Sequence, residues 1–260
     1  MVPEYGGVVL EKLQRIRKMS GKRTTHGIND ELIMNFLEND PFLSMAIDEA
    51  ERNFHDLINE LGEQSISLDE TELVKSVQYD FVNFYNPSTV NPYVAIAARG
   101  PWIITSHGAV IHDNGGYGML GMGHGPEDVI ISMQKNWVMA NVMTPSFSQK
   151  RLAQKLKEEV GFTRGNCPFY KFICLNSGTE SVAISMRIAD LNAKIATGEG
   201  GKHEGKPTKL LALNQAFHGR TQRPAQISDS CRDKYEKHLS SFSEKEGVIF
   251  VPANDVNALK

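Results

Sequence analysis

The chain has few cysteines, no long apolar run and no strong excess of either charge, and each shortage closes off a class of function. Three cysteines in 260 residues (Cys167, Cys174, Cys231), an odd number with no C-x-x-C spacing, do not have the pattern of a disulfide framework or a C-x-x-C site. They indicate a reducing compartment, which places the protein in the cytoplasm. Cys174 lies in an apolar stretch and reads as a reduced core thiol. Near the N-terminus the only apolar run is Val8-Val9-Leu10, too short for a signal peptide or a membrane span. A net charge of −3 argues against nucleic acid or an anionic membrane as a main partner, which would want a basic face. What remains is ordinary: 40% hydrophobic and 23% charged residues describe a globular protein long enough for one or two domains.

The first ninety residues read as helical and carry no chemical signature. Val8 to Met19 is amphipathic, and Ser20 to Gly27 is a polar turn. Its Ser-Gly-Lys-Arg run lacks the upstream glycine and preceding strand of a phosphate-binding P-loop, so a solvated loop is the better reading. Asp40 as N-cap, Pro41 at the first helical position and Gly62 as terminator bound a helix. Leu43, Ala46, Ile47, Ala50, Phe54, Leu57, Ile58 and Leu61 form its single apolar face. Ser67 with Glu70 predicts a capping box for a further helix running to about Phe84, which Asn86-Pro87 then breaks. Packing or dimer contact is the expected role of this region.

Residues 93–113 alternate as two strands around Arg99-Gly100-Pro101. A glycine-rich loop follows, with five glycines between Gly115 and Gly123. It lacks the strand–loop–helix setting of a dinucleotide fingerprint; a helix from Pro126 to Val138 comes next. Ser148 to Val160 is a further helix, ended by Gly161. The stretch Thr197 to Lys206 is polar and glycine-rich, hence an exposed loop. Its His203 has no partner ligands at useful spacing, and no metal is expected.

Two later segments carry chemistry. Lys171-Phe172-Ile173-Cys174-Leu175 reads as a short buried strand, which breaks at Asn176-Ser177-Gly178-Thr179-Glu180 and continues as a helix to about Ala196. Backbone N–H groups and the positive end of a helix dipole at such a turn suit a dianionic phosphate, and two hydroxyls add donors. The same residues also serve simply as a cap. About forty residues on, the strand Leu210 to Leu213 runs into Asn214-Gln215-Ala216-Phe217-His218-Gly219-Arg220-Thr221. Gly247 to Pro252 is another core strand, and Asn254-Asp255 opens a helix. Strands alternating with helices predict an α/β fold with a mainly parallel sheet.

The Asn-Ser-Gly-Thr-Glu and Phe-His-Gly-Arg-Thr pair resembles the class III aminotransferases, pyridoxal-phosphate enzymes of fold type I. Gly100 to Asp113 looks like that family's opening β-hairpin, and Gly121-Met122-Gly123-His124-Gly125-Pro126-Glu127 like its Gly-His turn. The resemblance covers roughly residues 90–260. It implies an incomplete fold type I large domain preceded by a helical segment: 1–90 as a helical N-terminal extension, 91–145 as the small-domain hairpin and glycine-rich loop leading into the large domain, and 146–260 as the first part of the cofactor-binding large domain. It places Ser177, Gly178 and Thr179 at the cofactor phosphate and Phe217 on the cofactor ring, with His218 beside it, although Phe217 also suits a plain core position. Arg220 would pair with a substrate carboxylate or else serve a structural ion pair, and Tyr117 would touch substrate. Glu180 would support the turn.

The implied cofactor is pyridoxal 5′-phosphate, and the implied reaction moves an amino group from an amine or amino acid to a keto acid. An aminomutase or other reaction on the same fold, and a non-catalytic fragment that binds a partner chain, are the alternatives. The implied assembly is a homodimer, with the glycine-rich loop around Tyr117 at its interface. The family's Schiff-base lysine and its acid partner for the pyridine nitrogen are expected on later strands. Lys171 and Lys209 both precede their strands, so the chain is expected to resemble the front half of an aminotransferase, a fragment inactive by itself and prone to associate.

Overall fold

The computed structural model describes residues 2–83, 86–115, 121–138, 143–242 and 247–259. The chain divides into two compact units, Met1–Met139 and Ala140–Lys260.

In the first unit, helices α1 (Val2–Met19), α2 (Asp30–Leu37), α3 (Pro41–Leu61), α4 (Glu63–Ile66) and α5 (Glu70–Gln78) precede an antiparallel sheet. Its strands β1 (Ala95–Arg99), β2 (Trp102–Thr105) and β3 (Val110–His112) lie in sequential order. The helical residues and the sheet share one core. The apolar face predicted for α3 is buried at Leu43, Ala46, Ile47, Ala50 and Phe54. It meets Val9, Leu13 and Ile16 of α1 as well as Ala97, Trp102, Ile104 and Val110 of the sheet. Burial stops before the end of the helix, where Leu61 is exposed.

The predicted start of α3 links helix to sheet. Asp40 is its N-cap, accepting from the Phe42 amide at 2.9 Å. Its other carboxylate oxygen accepts from the Trp102 indole at 2.7 Å. A buried indole N–H needs such a partner, so one capping residue sets both a helix end and a strand. Arg99 adds a two-pronged ion pair to Glu49 of α3, at 2.8 and 3.1 Å, the fork geometry that suits arginine.

Glu70 corrects the predicted capping box. The helix α5 starts after Asp69 and ends at Gln78, short of Phe84. Ser67 turns back to the carbonyl of Gln64. Glu70 is fully buried. Its carboxylate accepts from the Thr24 amide at 2.7 Å, the Thr24 hydroxyl at 2.9 Å and the Thr25 amide at 2.6 Å. Burial by itself would raise its pKa, but the hydrogen bonds from Thr25 and Thr24 outweigh burial and hold the carboxyl below the ordinary glutamate range. The Ser20–Gly27 turn is thus a strap fastened to α5. The sequence shows the capping pattern but not the distant amides that outbid it.

After β3 the chain reaches helix α6 (Glu127–Met133), shorter than the Pro126–Val138 span predicted. In the second unit come α7 (Phe147–Gly161), α8 (Gly178–Thr197), β4 (Leu210–Leu213), α9 (Gln222–Gln226), α10 (Arg232–His238) and β5 (Val248–Val251). Ser146 starts α7 with a reciprocal capping box to Gln149. Strands β4 and β5 pair in parallel, Leu210 with Val248 through Leu213 with Val251, and the segment carrying α9 and α10 makes the crossover such a pair requires.

Two predictions for the second unit need correction. Residues 171–175 form no strand, and Ile173, Cys174 and Leu175 are exposed, so Cys174 is not a core thiol. A strand exists only with a neighbour to take its backbone hydrogen bonds, and no described segment pairs with this one. Asn254-Asp255 opens a turn instead of a helix, with the Asp255 carboxylate accepting from the amides of Asn257 and Ala258 at 3.0 and 3.1 Å.

Candidate functional site

The Asn176–Glu180 turn is the N-terminus of α8. Ser177 has extended backbone angles and is the N-cap, its hydroxyl accepting from the Glu180 amide at 3.2 Å. Glu180 folds back to accept from the Asn176 amide at 3.0 Å. These reciprocal bonds fix the turn and leave Gly178 and Thr179 as the first helical residues. No acceptor among the described residues takes their amides, as expected for the first turn of any helix. A Cβ added to Gly178 would meet nothing within 4 Å. The turn therefore offers donors, the positive end of a 20-residue helix and open space in one place, which fits a phosphate group.

The second motif leaves the end of β4. Gln215 adopts a left-handed conformation, φ 60°, and its amide donates to Asp229 at 2.7 Å. Phe217 is half exposed and carries the Arg220 guanidinium 5.7 Å from its ring centroid, a cation–π distance. Burial pushes the Tyr235 hydroxyl pKa up, the charge of Cys231 adds to this, and Arg220 pulls the other way, so Arg220 lies within electrostatic reach of Tyr235. The His218 amide donates to the Ser228 hydroxyl at 2.9 Å.

Gly219 joins the two motifs. It is buried at φ 125°, a backbone conformation that glycine adopts without penalty. A Cβ there would lie 2.5 Å from the Thr179 hydroxyl oxygen and 2.9 Å from its Cβ. The Thr179 side chain is thus seated directly on the Gly219 backbone, and the two motifs meet at this pair.

Sequence reasoning missed Ser228, Asp229 and Ser230, which fasten the Phe-His-Gly-Arg loop. Their Ser-Asp-Ser pattern signals a turn, but nothing local says which loop that turn supports.

In the first unit, the Gly-His turn approaches the hairpin so closely that a Cβ on Gly123 would lie 2.9 Å from the Gly100 Cα. Gly100 and His124 exchange backbone hydrogen bonds of 2.9 and 2.8 Å, and the His124 ring lies 2.9 Å from the Asp113 carboxylate. A cleft of about 870 Å³ opens beside this pair, bounded by Phe42, Pro101, Met122 and Glu127 among others. Tyr117 lies outside the described residues.

Comparison with known proteins decides the family. The sequence profile of "Aminotransferase class-III" matches residues 84–260. The chain belongs to the class III aminotransferases. It is similar to the acetylornithine/succinyldiaminopimelate aminotransferase of Photorhabdus laumondii, 25% identical over 186 residues, which span 68% of this chain and 40% of that protein. It is also similar to the ornithine aminotransferase of Staphylococcus carnosus, 24% identical over 193 residues, 73% of this chain and 44% of that protein. The chain spans less than half the length of these curated relatives. Class III aminotransferases depend on pyridoxal phosphate and have fold type I. The mixed α/β composition and the parallel β4–β5 pair agree with that fold. No described helix is long and apolar enough to cross a membrane.

Proposed function

We propose that the chain carries the phosphate- and ring-binding part of a pyridoxal-phosphate aminotransferase that moves an amino group from an amine or amino acid to a keto acid. Family membership supports the reaction class, and the contact of Thr179 with Gly219 carries the assignment of the site. Ser177, Gly178 and Thr179 hold the cofactor phosphate through amides and hydroxyls at the positive end of α8. Phe217 presents its ring to the cofactor ring, with His218 beside it. Arg220 holds a substrate carboxylate with its planar fork, and Tyr117 completes the substrate side. Bound pyridoxal phosphate supplies an electron sink for the reacting carbon, and the chain's own task is to fix and orient it.

The domain assignment, with 146–260 as the first part of the large domain, belongs to this proposal, as does a homodimer in the working enzyme. No lysine of residues 1–260 is assigned the covalent role. Lys171 and Lys209 precede the motif segments, and neither neighbours the turn residues in sequence.

Equilibrium binding of pyridoxal phosphate and of pyridoxal, which lacks the phosphate, tests the site. Pyridoxal phosphate is expected to bind at least about tenfold more tightly, the scale of a charge-assisted hydrogen bond, and Thr179→Ala is expected to erase most of that preference. Equal affinity for the two compounds overturns the assignment. Borohydride treatment of the complex followed by peptide mapping is expected to fix no single lysine; stoichiometric labelling of one lysine would contradict the exclusion of residues 1–260.

A further inference from the structure

We propose that Ser228 is a positioning residue for the cofactor phosphate, acting through Gly219 and Thr179. The inference rests on the phosphate assignment above. Ser228 is fully buried, yet it belongs to neither motif and stands seven residues beyond Thr221. Its hydroxyl accepts from the His218 amide at 2.9 Å and lies 2.8 Å from each of two carbonyls, Gly219 and Pro224, which share its one proton. Two bonds therefore grip the peptides on either side of the His218–Gly219 junction. The third anchors them to α9.

Neighbouring residues repeat the pattern: the Ser230 amide donates to Ala216 at 3.2 Å, and Asp229 accepts from Gln215. The whole 215–219 loop is thus pinned to 228–230. The hold matters because Gly219 sits at a positive φ with its Cα against the Thr179 side chain. If the loop shifts by a few tenths of an ångström, Thr179 shifts with it, and Thr179 is the second residue of the turn that receives the phosphate. A buried hydroxyl that accepts from one amide and shares its proton between two carbonyls is well suited to resist that shift.

The test compares affinities for pyridoxal phosphate and pyridoxal in the intact protein, for the parent, Ser228→Ala, Ser228→Cys and Thr179→Ala. The Cys variant keeps the side-chain volume but is a weak hydrogen-bonding partner, and it supplies the reading should the Ala variant fail to fold. A positioning role predicts that the preference for the phosphorylated compound falls about fivefold or more, the scale of one hydrogen bond, while pyridoxal affinity stays near the parent's. A role confined to stability predicts that both affinities fall together and the preference is kept, which overturns the proposal. If Thr179→Ala lowers the preference and neither Ser228 variant does, the Ser228 role alone falls. If Thr179→Ala also leaves it unchanged, the phosphate assignment falls and this inference with it.

Discussion

The two units hold their shape by different means. In the first, fourteen described residues form one apolar cluster drawn from helices and sheet alike, and ion pairs such as Arg99 with Glu49 clip its layers together. In the second, the buried apolar side chains among the described residues are Met186, Ala212, Pro224, Ala225 and Val251. Ile188, Leu191 and Ile195 of α8 and Leu211, Leu213 and Ile249 of the strand pair are exposed. The Gly-His turn lies in the first unit, and the Asn-Ser-Gly-Thr-Glu and Phe-His-Gly-Arg-Thr motifs lie in this second unit. Its loops take their shape from the hydroxyl of Ser228, the carboxylate of Asp229 and the fit of Gly219 against Thr179. The larger apolar cluster and the proposed phosphate site therefore lie in different stretches of the chain, and substitutions should separate their effects.

The sharpest contrast comes from truncating one large apolar side chain in each unit. Trp102 is almost fully buried and meets the rings of Phe36 and His112 edge-on at 5.0 and 4.8 Å. Trp102→Ala should cost about 3–5 kcal/mol of unfolding free energy in urea denaturation. Leu211→Ala, at a position 59% exposed, should change it by less than about 0.5 kcal/mol. Comparable losses at the two positions would break the comparison.

Glu70→Ala ranks next, at about 2–4 kcal/mol, because it strands two amides and a hydroxyl in a buried place. The same residue predicts a pH dependence. The folded state holds this carboxyl at a lowered pKa, so the unfolded chain binds the proton more readily. Stability from Glu70 is therefore full at neutral pH and is lost as the pH falls below about 4.3 toward the folded value. The parent should lose stability through that window in acid titrations of the unfolding midpoint. Glu70→Gln should show a shallower slope, and an unchanged slope would show that the strap does not depend on the carboxylate.

Gly219→Ala perturbs the second unit. It sets a Cβ against Thr179 in a backbone conformation that alanine disfavours, at about 1–2 kcal/mol of strain. Pyridoxal phosphate affinity should drop about tenfold, with little change in the unfolding of the first unit by hydrogen exchange. The smallest effect belongs to Lys155, exposed on α7 beside Glu158 and Glu159 at 3.3 and 2.9 Å. Removing an exposed pair rarely registers, so Lys155→Ala should leave the midpoint unchanged.

Several local signals were legible where the residues that decide a feature are close in sequence. Asp40-Pro41 and Gly62 mark both ends of α3, Gly100-Pro101 marks the hairpin turn, and Ser177 marks the start of α8. Features settled by distant partners were not legible. Glu70 serves Thr24 and Thr25 instead of a capping box, because amides forty-six and forty-five residues away compete for it. Residues 171–175 have the composition of a strand but no described partner. The sequence brings Thr179 and Gly219 onto a common footing only through family resemblance, and Ser228 carries no motif at all. Its importance arises from where its buried hydroxyl falls.

The central claim is that the first turn of α8 receives the cofactor phosphate, and the backbone amides of Gly178 and Thr179 test it most directly. Their NMR resonances should be followed while pyridoxal phosphate, and separately pyridoxal, is titrated into the intact protein. Both amides should show large downfield proton shifts with the phosphorylated compound and little change with pyridoxal. Unmoved resonances at saturating pyridoxal phosphate, with shifts concentrated elsewhere, would contradict that claim.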